Sequence, residues 1–148
     1  MQIEHGGLVI VADGEKMLLL RNRGDPRHLD LGFVRVDEQD NPRDRDQKSD
    51  APGRAFASVG NSRSAYDEPD YHKIEEERFA ERVTGMMQRY VRNDDSSTFV
   101  VIAPPATLGQ LRKNYDKGLA DHLVGEIDKD LTNHPIPEIE RILLETQA

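Results

Sequence analysis

Between residues 51 and 72 the chain reads APGRAFASVGNSRSAYDEPDYH, a stretch short of bulky apolar residues that sets Arg54 and Arg63 among glycines and serines. A guanidinium is a planar fork of donors suited to phosphate or carboxylate, and two of them on a small-residue loop can clamp one such group. Residues 51–66 contain no acid, so this local cationic excess stands out beside the mixed-charge run at 37–50. The competing reading is that the two arginines pair with Asp67 or Glu68 on the surface. Ser58, Gly60 and Asn61 complete the candidate ligand-gripping set, with Asp70 and His72 where the loop meets a helix.

Nucleophilic and metal chemistry find less support. Ser58, Ser62 and Ser64 lack a Gly-x-Ser-x-Gly elbow and a neighbouring histidine, and turn preferences favour serine as a backbone-capping residue. His72 and Glu76 stand four apart on a helix start, but two ligands fall short of the three that metal sites usually need. No cofactor and no metal site are expected.

Composition bounds the rest. A chain of 148 residues fits one domain, 1–148. Its net charge of -8 argues against a general nucleic-acid face, so any phosphate contact must be local. The absence of cysteine removes thiolate and disulfide chemistry and suits a reducing cytosol. The apolar run at residues 8–12 is too short for a signal peptide core or a membrane span, and the expected location is the cytoplasm.

Loops like the one at 51–72 need elements to hold them. Leu8 to Ala12, Asp13-Gly14 and Lys16 to Arg21 read as a strand, a tight turn and a second strand. Leu29 to Val36 follows as a weaker third strand, and periodicity then lapses from 37 to 70, predicting a long mobile loop. From His72 the offsets of Phe79, Val83, Met86, Met87 and Tyr90 predict a helix, with Glu75, Glu76 and Glu77 in its first turns. Met87 and Tyr90 suit a core or a dimer seam. Thr98 to Ala103 is an apolar strand ended by Pro104-Pro105, and Leu108, Leu111 and Tyr115 mark another helix. Leu123 to Ile127 reads as a last strand or as part of a helix, and Ile136 to Leu143 as a terminal helix with Pro137 in its first turn. The order predicts a single α/β domain with a mixed five-stranded sheet, an antiparallel meander joined to βαβ crossovers, as in ribonuclease-H-like folds.

Four stretches carry a family resemblance: VIVADGEKMLLL at 9–20, the whole of 51–80, VVIAPPATLGQLRK at 100–113, and EIDKDLTNHPIPEIERIL at 126–143. In order and spacing the chain resembles the bacterial host-attachment proteins, a family similar to the middle domain of archaeal and eukaryotic peptide-chain release factors. The resemblance implies a partner in the translation machinery, the ribosome or a structured RNA. It also implies that the connection between the third strand and the long helix carries the working tripeptide, Gly-Gly-Gln in release factors. Here that region holds Val59-Gly60-Asn61, and the one glycine doublet, Gly6-Gly7, precedes a leucine.

Two functions follow as expectations. The first is a binding module that contacts RNA or the translation machinery through loop 51–66 and affects host attachment indirectly. The alternative is a hydrolase in which Asn61 or Asp70 positions water on an anionic or ester substrate. A two-metal nuclease is disfavoured because the fourth strand ends in Ala103-Pro104-Pro105, with no acid. The helix after Pro105 offers a possible anion site with Gln110, Arg112 and Lys113 nearby, against an ordinary strand-to-helix corner. Oligomeric state is open.

Overall fold

The computed structural model describes residues 1–38 and 61–146, with side chains of the long helix described from Lys73 onward. Strand β1 (Leu8–Ala12) turns at Asp13-Gly14 into β2 (Lys16–Asn22), and β3 (Leu31–Glu38) completes the meander. Helix α1 (Asn61–Asn93) leads to β4 (Phe99–Ala103), and α2 (Pro105–Arg112) and the short α3 (Lys117–Ala120) lead to β5 (Leu123–Asp128). Helix α4 (Ile136–Glu145) closes the order, with Pro137 in its first turn.

The strands form one sheet in the order β3-β2-β1-β4-β5. The β1–β2 and β2–β3 pairs are antiparallel, whereas β1–β4 and β4–β5 are parallel. Only β2 therefore runs against the others, and one edge of the sheet collects the carboxyl ends of β1, β3, β4 and β5.

Strand β4 reads as one apolar block because helices cover both of its sides. Leu8, Ile10, Ala12, Phe99, Val101 and Ala103 face α1, α2 and α3 with Phe79, Val83, Met87, Leu108, Leu111 and Leu119. Val9, Val11, Val100 and Ile102 face α4 with Ile139, Ile142 and Leu143. Alternation along a strand thus divides one run between two cores. Met87 is fully buried in this core, and Tyr90, partly buried, packs against it.

Two sequence expectations shift. Helix α1 has no acid in its first turn, because it begins at Asn61 and leaves Glu75, Glu76 and Glu77 in its interior, where the dipole argument does not apply. The expected loop at 37–70 is cut back at both ends, because β3 takes in Asp37 and Glu38 and α1 takes in residues 61–70, and residues 39–60 lie outside the described set. The ambiguous segment after Leu119 resolves into both alternatives: Leu119 sits on α3, and Leu123 opens β5.

Candidate functional site at the carboxyl edge of the sheet

The β1–β2 turn places Asp13 at this edge. Its Oδ1 accepts from the Glu15 N–H at 2.9 Å and the Lys16 N–H at 2.8 Å, and Gly14 supplies the positive φ of 101° that the turn requires. A side chain at Gly14 would also stand 3.3 Å from Thr107 Oγ1 in the first turn of α2. The other carboxylate oxygen, Asp13 Oδ2, lies 3.1 Å from Thr132 Oγ1, and Asp130 Oδ1 lies 2.9 Å from the same hydroxyl. One hydroxyl proton serves two carboxylates here, so Thr132 donates to one while the other borders its lone pairs. The three residues latch the β1–β2 turn to the segment after β5.

Beside the latch runs an open groove of about 470 Å³, bounded by Lys16, Leu18, Phe33, Val36, Asn133 and His134 among others. Phe33 and Val36 are more than half exposed. His134 Nδ1 is buried without a hydrogen-bond partner, and Lys16 Nζ is 3.8 Å from Glu38 Oε1.

Across the sheet, α2 ends in a charged cluster. Arg112 donates to Glu126 Oε1 from Nε at 2.9 Å and from Nη2 at 2.7 Å, and the Tyr115 hydroxyl donates to Glu126 Oε2 at 3.2 Å. The Arg112 fork is therefore engaged in holding α2 against β5, which removes it from the expected anion site after Pro105. The α2 amino terminus has no side-chain cap. Burial first, and then the charge of Glu126, hold the Tyr115 phenol proton well above its ordinary value of 10.0. The folded state thus keeps this proton more tightly than the unfolded chain. Its stabilising contribution is full below about pH 10 and is lost as pH rises beyond that value. Tyr115→Phe should cost about 1 kcal/mol at neutral pH and should flatten the decline above pH 10, as read by urea titrations across that range.

The sequence-derived candidates divide by region. Arg54, Ser58 and Gly60 lie outside the described residues, whereas Asn61, Arg63, Asp70 and His72 fall on the α1 backbone with side chains outside that set. Among the described residues, no three His, Cys, Asp or Glu side chains gather as a metal site. Acids stand at the carboxyl ends of β1, β3 and β5, while β4 ends in Ala103 and is followed by two prolines. Nothing in the sequence alone points to the contact between Thr132 and Asp13. An acid and a hydroxyl following parallel strands are too common to single out.

A family model described as bacterial archaeo-eukaryotic release factor family 12 matches residues 7–143. The chain belongs to this family. The release factor family 12 match runs from Gly7, just before β1, to Leu143 within α4, so it takes in every strand of the sheet and the start of every helix. No curated protein matches the chain. In this family 12 chain the connection from β3 to α1 departs from the carboxyl edge at Glu38, and its sequence carries Val59-Gly60 ahead of Asn61. Among the described residues no helix is long and apolar enough to cross a membrane.

Proposed function

We propose that this protein is a cytoplasmic binding module of the translation machinery, contacting a ribosome or structured RNA through the β3–α1 connection and the first turn of α1, with Arg54 and Arg63 on phosphates. The family match carries this reading. It is supported by chain order: Arg54 lies between the third strand and the long helix, where release-factor middle domains hold their tripeptide, and Arg63 lies in the first turn of that helix. Ser58 and Gly60 would shape the connection around the ligand, Asn61 would border it at the start of α1, and Asp70 and His72 lie further along the same helix. With no Gly-Gly-Gln in the sequence, the role is docking, not hydrolysis of peptidyl-tRNA. An effect on host attachment would be a downstream consequence of that docking.

The test is sedimentation of tagged protein through a sucrose gradient of cell lysate, wild type beside the Arg54→Ala, Arg63→Ala double variant. Two lost charge-assisted contacts at about 1.5 kcal/mol or more each predict roughly a hundredfold weaker association. Wild type should travel with ribosomal particles while the variant stays at the top. If folded wild type also stays at the top at low salt, the ribosomal reading fails.

A further inference from the structure

Helix α1 carries a second pattern on the side away from the sheet. Phe79, Val83, Met86 and Met87 are buried against the core, while Arg78, Arg82, Arg89 and Arg92 are all exposed. The arginines recur at offsets of 0, 4, 11 and 14. At 3.6 residues per turn they share a stripe about 80° wide, running about 21 Å along the axis. Gly85, at offset 7, occupies the middle of this stripe, and a Cβ added there would meet only Arg89 Nη1, at 3.8 Å. The Arg89 guanidinium therefore reaches back over this glycine, along the middle of the stripe.

The stripe is lightly neutralised. Arg78 Nη1 is 3.4 Å from Glu75 Oε1, and Glu81 stands on the flank. The Arg82 guanidinium lies over the Phe79 ring, 5.5 Å from its centroid, which steadies the side chain without spending its charge. Among the described residues, Arg89 and Arg92 have no carboxylate partner. Four arginines in line on a chain of net charge -8 form a local cationic ridge on a repelling body, which orients a polyanion.

We propose that the outward face of α1 is a phosphate-contacting ridge for structured RNA, with Arg78, Arg82, Arg89 and Arg92 paired to successive backbone phosphates and Gly85 leaving room for the Arg89 head group between them. All four cations are arginine, whose fork suits phosphate oxygens. The one large exposed apolar side chain among the described residues of α1 is Ile74, one turn before Arg78. A protein partner would call for an apolar centre that this stripe lacks. The inference rests on the RNA-binding reading above and adds a surface separate from loop 51–66.

The test is binding of the full chain to purified ribosomes and to naked ribosomal RNA from the same cells, titrated from about 50 to 200 mM salt. Three forms are compared: wild type, R78Q/R82Q/R89Q/R92Q, and R54A/R63A, with circular dichroism confirming that each is folded. The ridge variant should bind both probes about 10- to 100-fold more weakly, with a log-affinity against log-salt slope shallower by about 3. The corresponding fourfold Arg→Lys variant should regain most of the slope. An unchanged slope in the ridge variant, with binding lost in R54A/R63A, overturns the ridge and leaves the proposed function standing. Loss in the ridge variant with R54A/R63A unchanged upholds the ridge and overturns the loop. Weaker binding of the ridge variant to ribosomes but not to naked RNA would assign the stripe to an acidic protein and overturn the RNA proposal. Absence of wild-type binding to either probe overturns both readings.

Discussion

Phe79→Ala should lower stability by about 3–5 kcal/mol, the usual cost of emptying a buried phenylalanine site. Phe79 is 1% exposed and lies in the core that joins α1 to the sheet, among Met87, Leu19 and Phe99. The described part of the helix is attached to the sheet by apolar burial, so a cavity at this position loosens the whole docking. Arg82 would also lose the ring beneath its guanidinium, a contact of about 0.5–1 kcal/mol at an exposed site. Phe79→Leu keeps most of the volume and should cost about 1 kcal/mol. Urea unfolding followed by circular dichroism separates the two variants. An alanine variant within about 1 kcal/mol of wild type would mean that α1 is held by other contacts.

The second large effect is expected at Asn22, a fully buried polar residue at the end of β2. Its Nδ2 donates to Ile3 O at 2.9 Å, and its Oδ1 accepts from the Gly24 N–H at 2.9 Å and the Asp30 N–H at 3.0 Å. One side chain therefore binds the amino-terminal segment to both ends of the 23–30 loop. That loop is otherwise closed by Arg23 N–H to Asp30 O at 2.9 Å, and by Asp25 Oδ1 accepting from the Arg27 and His28 N–H groups. Asn22→Leu fills the same space but strands two donors and one acceptor away from water, a loss of about 3 kcal/mol or more. Asn22→Asp keeps the acceptor but sets a buried carboxylate against the Ile3 carbonyl. This variant should recover stability as pH falls, because its protonated form can donate. Thermal melts of the three proteins at neutral and mildly acidic pH decide the matter, and a pH-independent Asp variant would count against this role for Asn22.

Much of the architecture was legible because its signals are local. The apolar blocks at β1 and β4, the Asp13-Gly14 turn, and the spacing of Phe79, Val83, Met86 and Met87 on α1 follow from strand and helix periods alone. The start of α1 was not legible. Apolar periodicity marks where a helix touches a core, and α1 extends well ahead of Phe79, its first buried residue among those described. Segment 117–128 was ambiguous for a related reason: Leu119, Leu123 and Ile127 stand four apart, yet α3 and β5 bury them in different elements.

For the candidate site the division is similar. The choice of arginine, glycine and asparagine at 54, 60 and 61, and the lack of a Gly-Gly-Gln tripeptide, are properties of the chain itself. The spacing of the arginines on α1 is also a property of the chain, but a charge run on a helix usually marks a solvated face and does not by itself single out a site. The stripe becomes visible once Phe79 and Met87 show which side of α1 meets the sheet.

Outside segment 117–128, the order of strands and helices, the hairpin turn and the family follow from the chain alone, since each depends on residues near one another or on the ordered set of motifs. The meeting of Asp13 with Thr132, the engagement of Arg112 by Glu126 and the tie that Asn22 makes among three segments come from the three-dimensional packing. Those contacts join residues distant in the chain, and no local period records which strand will lie beside which.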